Sequence, residues 1–251
     1  MIRASARILL LALWCLCATP FPIVAFVFTL GSRTARARTG PFLNRYFSRG
    51  ICAILGVRIE RTGDPPPPGG CLVTPNHWGY VDVFVLGAIY RSVFVSRADV
   101  AGWPVIGAFA RAGGTLFLRR EVRRDTARVG DDVEHHLRLG CRVTVFLEGG
   151  AGDGRSVRPF KSGLVSAAVA AGAPCVPVAL RYTLPRDPDL DPGEVVAWTS
   201  DEFLAHAWRL LALRRIDAEV MFLPPRTGTD RKRLARELES DVRAVIERAP
   251  R

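Results

Sequence analysis

The sequence predicts an α/β protein: a mixed, largely parallel sheet flanked by helices, with a membrane-associated helical hairpin at the N-terminus. From residue 57 onward, short apolar β-prone runs alternate with segments of helical pattern, the order that places helices on the faces of a sheet. Hydrophobic residues make up 49% of the 251, which supports a real core and excludes disorder for most of the chain. Residues 8–30 form an uncharged run of 23, long enough for a hydrocarbon layer of about 30 Å.

That run comes first in the chain, "ILLLALWCLCATPFPIVAFVFTL". Read as a cleaved leader it lacks a small-x-small site followed by a polar start. Read as a single span it has arginines on both sides, Arg3 and Arg7 before it and Arg33, Arg36 and Arg38 after it. Positive residues favour the cytoplasmic side, so both flanks ask for the same side. Pro20 and Pro22 divide the run into two apolar halves, and a re-entrant hairpin at the cytoplasmic face of the cell membrane satisfies both flanks. Residues 41–55 follow as a basic amphipathic helix lying at the interface. This gives two units, 1–56 as membrane anchor and interfacial helix and 57–251 as the α/β domain.

Within the second unit, "GVRIERTG" and "GCLVTPN" read as strands joined by the stiff turn "DPPPPGG". "VDVFVLGAIY" is a buried helix or strand, which periodicity alone does not settle. "GTLFLRR" is a strand, residues 125–139 an amphipathic helix, "CRVTVFLE" a strand and residues 161–171 a helix of small residues. "CVPVALRYT" is a strand, 201–213 a helix, "IDAEVMFL" a strand and 230–249 a charged terminal helix.

The formal net charge is +11, nearly all of it from arginine, with Lys161 and Lys232 the only lysines. Such a surface favours anionic partners, nucleic acid or an anionic membrane. Basic and aromatic residues are not interleaved in a stripe and no nucleic-acid-binding signature is present, so the expected partners are membrane lipids, with no nucleic acid. The six cysteines are scattered, without a disulfide framework or a C-x-x-C pair, which fits a reducing compartment.

In "VTVFLEGGAGDGRS", Gly149, Gly154, Arg155 and Ser156 match the spacing of a phosphate loop, with arginine in place of lysine. A phosphate loop runs from a strand straight into a helix whose first N–H groups hold the phosphates. Here Pro159 delays the helix, and Glu148 and Asp153 would repel a polyphosphate. A Gly-rich turn after a strand is the better reading.

Of the four histidines, His135 and His136 fall in an amphipathic helix among acidic residues and His206 in a helix of packing residues. His77 differs, because "TPNHWGYVDVF" places it after an apolar strand with Asp82 five residues on. A carboxylate there fixes the imidazole tautomer and stabilises the imidazolium, leaving the other nitrogen as a general base. G-x-S-x-G is absent and no cysteine has a local activation signature. The pair therefore points to a base acting directly on a substrate hydroxyl, with no metal expected, since His77 has no second histidine at ligand spacing.

Taken in order, four blocks resemble the glycerolipid acyltransferase family, whose members include 1-acylglycerol-3-phosphate acyltransferases. "NHWGYVD" is similar to the family's N-H-x4-D block, "GGTLFLRR" to its second, "VFLEGGAGDG" to its F-P-E-G-T block and "VPVAL" to its fourth, over about residues 57–183. The resemblance implies that His77 is the base and Asp82 its orienting partner. It further implies that Arg120, Glu148, Gly149, Gly150 and Pro177 belong to the substrate-binding set. The implied reaction is direct transfer of an acyl chain from acyl carrier protein or coenzyme A to a lysolipid hydroxyl in phospholipid biosynthesis, with no cofactor beyond that co-substrate. Leu147 replaces the family's proline, Gly150, Ala151 and Gly152 lack the usual hydroxyl or guanidinium groups, and Gly79 stands where serine is common. "WPVIG" and "PFKSGL" resemble the branch containing lyso-ornithine lipid acyltransferases, the alternative acceptor. A catalytically inactive membrane scaffold is the alternative of another class.

Overall fold

The computed structural model describes residues 2–20, 24, 32–103, 105–199 and 202–248. The strands are β1 (Val57–Thr62), β2 (Cys71–Pro75), β3 (Val93–Arg97), β4 (Leu116–Leu118), β5 (Arg142–Thr144), β6 (Cys175–Thr183) and β7 (Ile216–Phe222). The helices are α1 (Ile2–Ala18), α2 (Arg33–Leu55), α3 (Tyr80–Ile89), α4 (Ile106–Ala112), α5 (Arg123–Arg138), α6 (Val165–Ala171), α7 (Pro192–Val195), α8 (Phe203–Ala212) and α9 (Arg231–Glu247).

The strands form one sheet in the order β1-β7-β6-β2-β5-β3-β4. Among the named strands of the described residues only β6 and β7 pair antiparallel, so the sheet is mixed and largely parallel as the alternation predicts. One face buries Val73, Val85 and Leu180 with Phe47, Ile51 and Leu55 of α2, while Leu72, Val143 and Val165 pack with Val129 of α5 and Leu238 of α9 on the other. The topology also positions the site. After β2 the chain crosses over β5 to β3, whereas after β5 it crosses β2 to β6. The connections leaving adjacent strands β2 and β5 diverge, and such divergence opens a crevice at the carboxyl ends of the strands.

The structure settles one segment that the sequence left open and moves the start of two others. "VDVFVLGAIY" is helical: the Asp82 carboxylate accepts the Gly79 N–H at 3.0 Å, capping α3 at a position where a strand has no such need. The interfacial helix begins at Arg33 rather than 41, with Pro41 inside it. A mid-helix proline leaves the carbonyl four residues earlier without its bond, and here the Ala37 carbonyl instead accepts the Cys141 thiol at 3.7 Å. The small-residue helix begins only at Val165, because the Lys161 N–H is held by the Leu147 carbonyl at 2.9 Å. Strand β3 and helix α4 escaped the sequence reading. The start of β3 is buried on both faces and so shows no alternation to detect.

Of the expected N-terminal hairpin, the first apolar half is α1; the second, apart from Val24, lies outside the described residues. Among the described residues no helix is long and apolar enough to cross a membrane. Helix α1 rests on α2 through Trp14, whose ring meets Tyr46 and whose Nε1 donates to the Phe47 carbonyl at 3.3 Å. Arg7 donates to the Leu211 and Leu213 carbonyls at 3.1 and 2.6 Å, a cation at the exposed carbonyl end of α8. Ile2, Leu9, Leu13 and Leu16 of α1 point outward.

His206 of α8 is fully buried. Its Nε2 donates to the Ala197 carbonyl at 3.0 Å and its Nδ1 accepts from the Tyr80 hydroxyl at 2.8 Å, so both nitrogens are satisfied in the neutral ring. Burial lowers its pKa below the ordinary 6.5. The unfolded chain therefore takes up the proton first, and the stability contributed by neutral His206 is full above about 6.5 and lost as pH falls through the lower folded value. The melting temperature of the wild-type protein is expected to fall more steeply below about pH 6.5 than that of His206→Gln, as scanning calorimetry across pH would read; parallel curves would refute the assignment.

Candidate active site

His77 lies two residues beyond β2, in a loop fastened to β6 from both sides. The Asn76 amide donates to the Leu180 carbonyl at 3.0 Å and accepts the Leu180 N–H at 2.7 Å, and Trp78 Nε1 donates to the same carbonyl at 3.0 Å. The His77 ring stacks on Phe146 with centroids 3.9 Å apart. The backbone N–H of His77 donates to Glu148 Oε1 and its backbone carbonyl accepts from the Gly152 N–H, both at 2.7 Å. The loop that carries the imidazole is thus held by β6 and by the segment after β5 as well as by its own strand.

The predicted His–Asp pair meets: His77 Nδ1 lies 2.7 Å from Asp82 Oδ2. Asp82 is fully buried, and a buried carboxylate needs every available donor. Its Oδ2 also accepts the Trp78 and Gly79 N–H groups at 2.7 and 3.0 Å, and its Oδ1 accepts the Tyr182 hydroxyl at 2.7 Å. Burial, reinforced by Asp82, pushes the Tyr182 phenol well above its ordinary range, so Tyr182 is the donor. With these partners the carboxylate orients Nδ1 as an N–H donor, which leaves Nε2 as the acceptor nitrogen. The His77 side chain keeps 16% of its surface exposed, enough for access by a hydroxyl.

The turn after β5 carries three of the other expected residues. Glu148 is 5% exposed, and its carboxylate grips backbone, accepting from His77 N and from Arg158 N at 2.9 Å. Burial pushes its pKa up, partly offset by those two N–H donors. Gly149 takes φ +74°, a left-handed conformation costly for residues with a Cβ, and its carbonyl accepts from Arg120 Nη1. Lys161 Nζ packs against the Cα of Gly149, and the Arg158 guanidinium lies beside Gly150. Arg155 turns away to pair with Asp191. The phosphate-loop spacing has no counterpart here, since no helix starts before Val165. Pro177 is buried within β6, where its carbonyl accepts the Leu223 N–H. No hydrogen bond joins it to the His77 cluster among the described residues.

Tyr182, Phe146 and Asn76 were not anticipated as site residues. Tyr182 lies 100 residues from Asp82, a separation no spacing rule detects. Burial pushes the Cys52 and Cys175 thiols up to about 12 and Cys71 to about 11, which removes them as nucleophiles near neutral pH. The His77–Asp82 arrangement can take a proton from a bound hydroxyl or thiol and return it.

A family model described as acyltransferase matches residues 57–181. A 1-acyl-sn-glycerol-3-phosphate acyltransferase of Neisseria meningitidis is 32% identical over 206 residues, covering 79% of this chain and 78% of that protein. A lyso-ornithine lipid O-acyltransferase of Rhodobacter capsulatus is 39% identical over 203 residues, covering 77% and 72%. Among solved structures, a 1-acyl-sn-glycerophosphate acyltransferase from Thermotoga maritima superimposes with a TM-score of 0.64 over 97% of this chain and 96% of that one, at 16% identity.

Proposed function

The chain belongs to the acyltransferase family, and from that premise we propose that it transfers an acyl chain from an acyl carrier protein or coenzyme A thioester to the hydroxyl of a lysolipid, such as 1-acyl-sn-glycerol-3-phosphate. One observation carries the reading: His77 is oriented through Nδ1 by a buried, fully hydrogen-bonded Asp82, while its side chain stays partly exposed. Nε2 takes the hydroxyl proton as the oxygen attacks the thioester carbonyl. The C–S bond then breaks, and the imidazolium returns the proton to the departing thiolate. Asp82 stabilises the imidazolium between these steps.

Residues 1–56 are the proposed anchor and interfacial helix, holding residues 57–251 at the cytoplasmic face of the cell membrane. The outward apolar face of α1 supports this. Arg120, Lys161 and Arg158 around the Gly149 turn supply the positive charge for an anionic acceptor. A second reading, lyso-ornithine lipid as acceptor, is favoured by the absence of hydroxyl and guanidinium side chains at Gly150, Ala151 and Gly152. Membranes containing the protein, supplied with lysophosphatidic acid, lyso-ornithine lipid and other lysolipids, should yield one diacylated product by mass spectrometry. No acylated product from any of them, with either donor, would end the proposal.

Arg120→Ala is expected to raise the KM for the acceptor about 10–100-fold, the equivalent of a lost charge-assisted hydrogen bond of about 1.5–3 kcal/mol, and the KM for the donor much less. The guanidinium also holds the Gly149 carbonyl, so its loss loosens the same turn. Steady-state kinetics with each substrate varied separately checks this; an unchanged acceptor KM would remove Arg120 from the acceptor site.

A further inference from the structure

At the amino-terminal edge of the parallel strands, opposite the crevice, lies a pocket of about 440 Å³. The proline run "DPPPPGG" forms one wall, and the lining includes Arg45 of α2, Arg91 before β3 and Arg142 at the start of β5. We propose that this pocket binds the phosphate group of an anionic membrane lipid through Arg45, Arg91 and Arg142.

Several independent features meet here. Among the described residues Arg45 Nε is buried and has no hydrogen-bond partner, which costs free energy in the protein alone. Arg45, Arg91 and Arg142 make no ion pair with a carboxylate among the described residues, and no acidic side chain lines the pocket. Burial and repulsion from Arg49, Arg91 and Arg61 weaken the protonation of Arg45, as expected for cations gathered without a counter-ion. The last turn of α3 also lines the pocket. Its negative dipole end is worth about half a charge, too little to offset three guanidinium groups. Arg142 is preorganised, with Nε and Nη2 donating to the Pro67 and Pro66 carbonyls at 3.2 and 3.0 Å, carbonyls that a proline run presents without competing N–H groups.

The lipid source follows from the neighbouring surface. Phe42, Arg45, Tyr46 and Arg49 fall at i, i+3, i+4 and i+7 and so share one face of α2; Phe42 and Tyr46 are 54% and 44% exposed. Arg91 lies over the Phe42 ring at 3.5 Å. Aromatic and arginine side chains on one helical face mark a membrane–water boundary. Helices α1 and α2 run in opposite directions, Trp14 meeting Tyr46 while Arg7 reaches the neighbourhood of Gly56.

The test is isothermal titration of the full-length protein in neutral detergent with short-chain phosphatidylglycerol and, separately, inorganic phosphate. Arg45→Met and Arg91→Gln are each expected to weaken phosphatidylglycerol binding about tenfold or more. Without ligand, Arg45→Met should melt no lower than wild type, because it removes a buried N–H that lacks a partner; a lower melting temperature would make Arg45 a structural residue and overturn the proposal. Arginine-dependent binding of inorganic phosphate as tight as that of the lipid keeps the anion site and assigns it to soluble phosphate. Binding of both probes that is absent, or unaffected by either substitution, overturns it.

Discussion

His77→Ala is expected to lower the rate of acyl transfer by about 10²–10⁴-fold, the usual worth of general-base assistance, while the protein stays folded. The ring packs on Phe146 and keeps part of its surface exposed, and the contacts that fasten the loop are made by the His77 backbone, by Asn76 and by Trp78. Alanine preserves those contacts. It also leaves Asp82 with its two backbone N–H donors and the Tyr182 hydroxyl, so the buried carboxylate is not stranded. Because the proposed reaction is a single displacement, no acyl-enzyme should accumulate in wild type or variant, and no serine or cysteine replacement should match the loss. Acyl transfer by the folded variant with its proper acceptor is the measurement, and a rate close to wild type would discard the assignment of His77 as base.

Asp82→Asn is expected to be shallower, about 10–100-fold in kcat, for a reason that lies in the donors around it. Oδ2 faces three N–H groups, those of Trp78, Gly79 and the His77 ring. An amide NH2 in that position would confront the two backbone donors, so the Asn oxygen takes it and the imidazole tautomer is kept. The Tyr182 hydroxyl rotates to accept from the amide. What is lost is the charge that stabilises the imidazolium in the transition state, and the expected fold-change corresponds to about 1.4–2.7 kcal/mol. Asp82→Ala is different in kind, because it strands several buried polar groups at about 1–3 kcal/mol each, and it should lower the melting temperature sharply. Kinetics and calorimetry on the three proteins separate charge from structure; Asp82→Asn turning over at the wild-type rate would refute a role for that charge.

The alternation of strand-like and helical runs was enough to anticipate the sheet, because side-chain periodicity is a local property that a short window carries. Where a segment is buried all round, as in "VDVFVLGAIY" and the start of β3, the period vanishes and with it the signal. The ordered blocks around His77, Arg120, Glu148 and Pro177 were likewise readable. Their division of labour was not, for Glu148 grips the backbone of His77 and Arg158 while Arg120 holds the Gly149 carbonyl.

Residue type and short-range order alone determined that His77 has a carboxylate within reach, that the turn after β5 bends at glycine, and that the charge of the chain is almost wholly arginine. The tertiary structure alone decided that Tyr182 completes the Asp82 shell from 100 residues away, that Phe146 supports the imidazole, and that Lys161 rather than Arg155 lies against Gly149. It also gathered Arg45, Arg91 and Arg142 beside a proline run whose sequence shows only a stiff turn. The physical reason is the pair of diverging crossovers around β2 and β5. They set which loops meet, and hydrogen bonds between residues so far apart in the chain have no period or spacing through which the sequence could announce them.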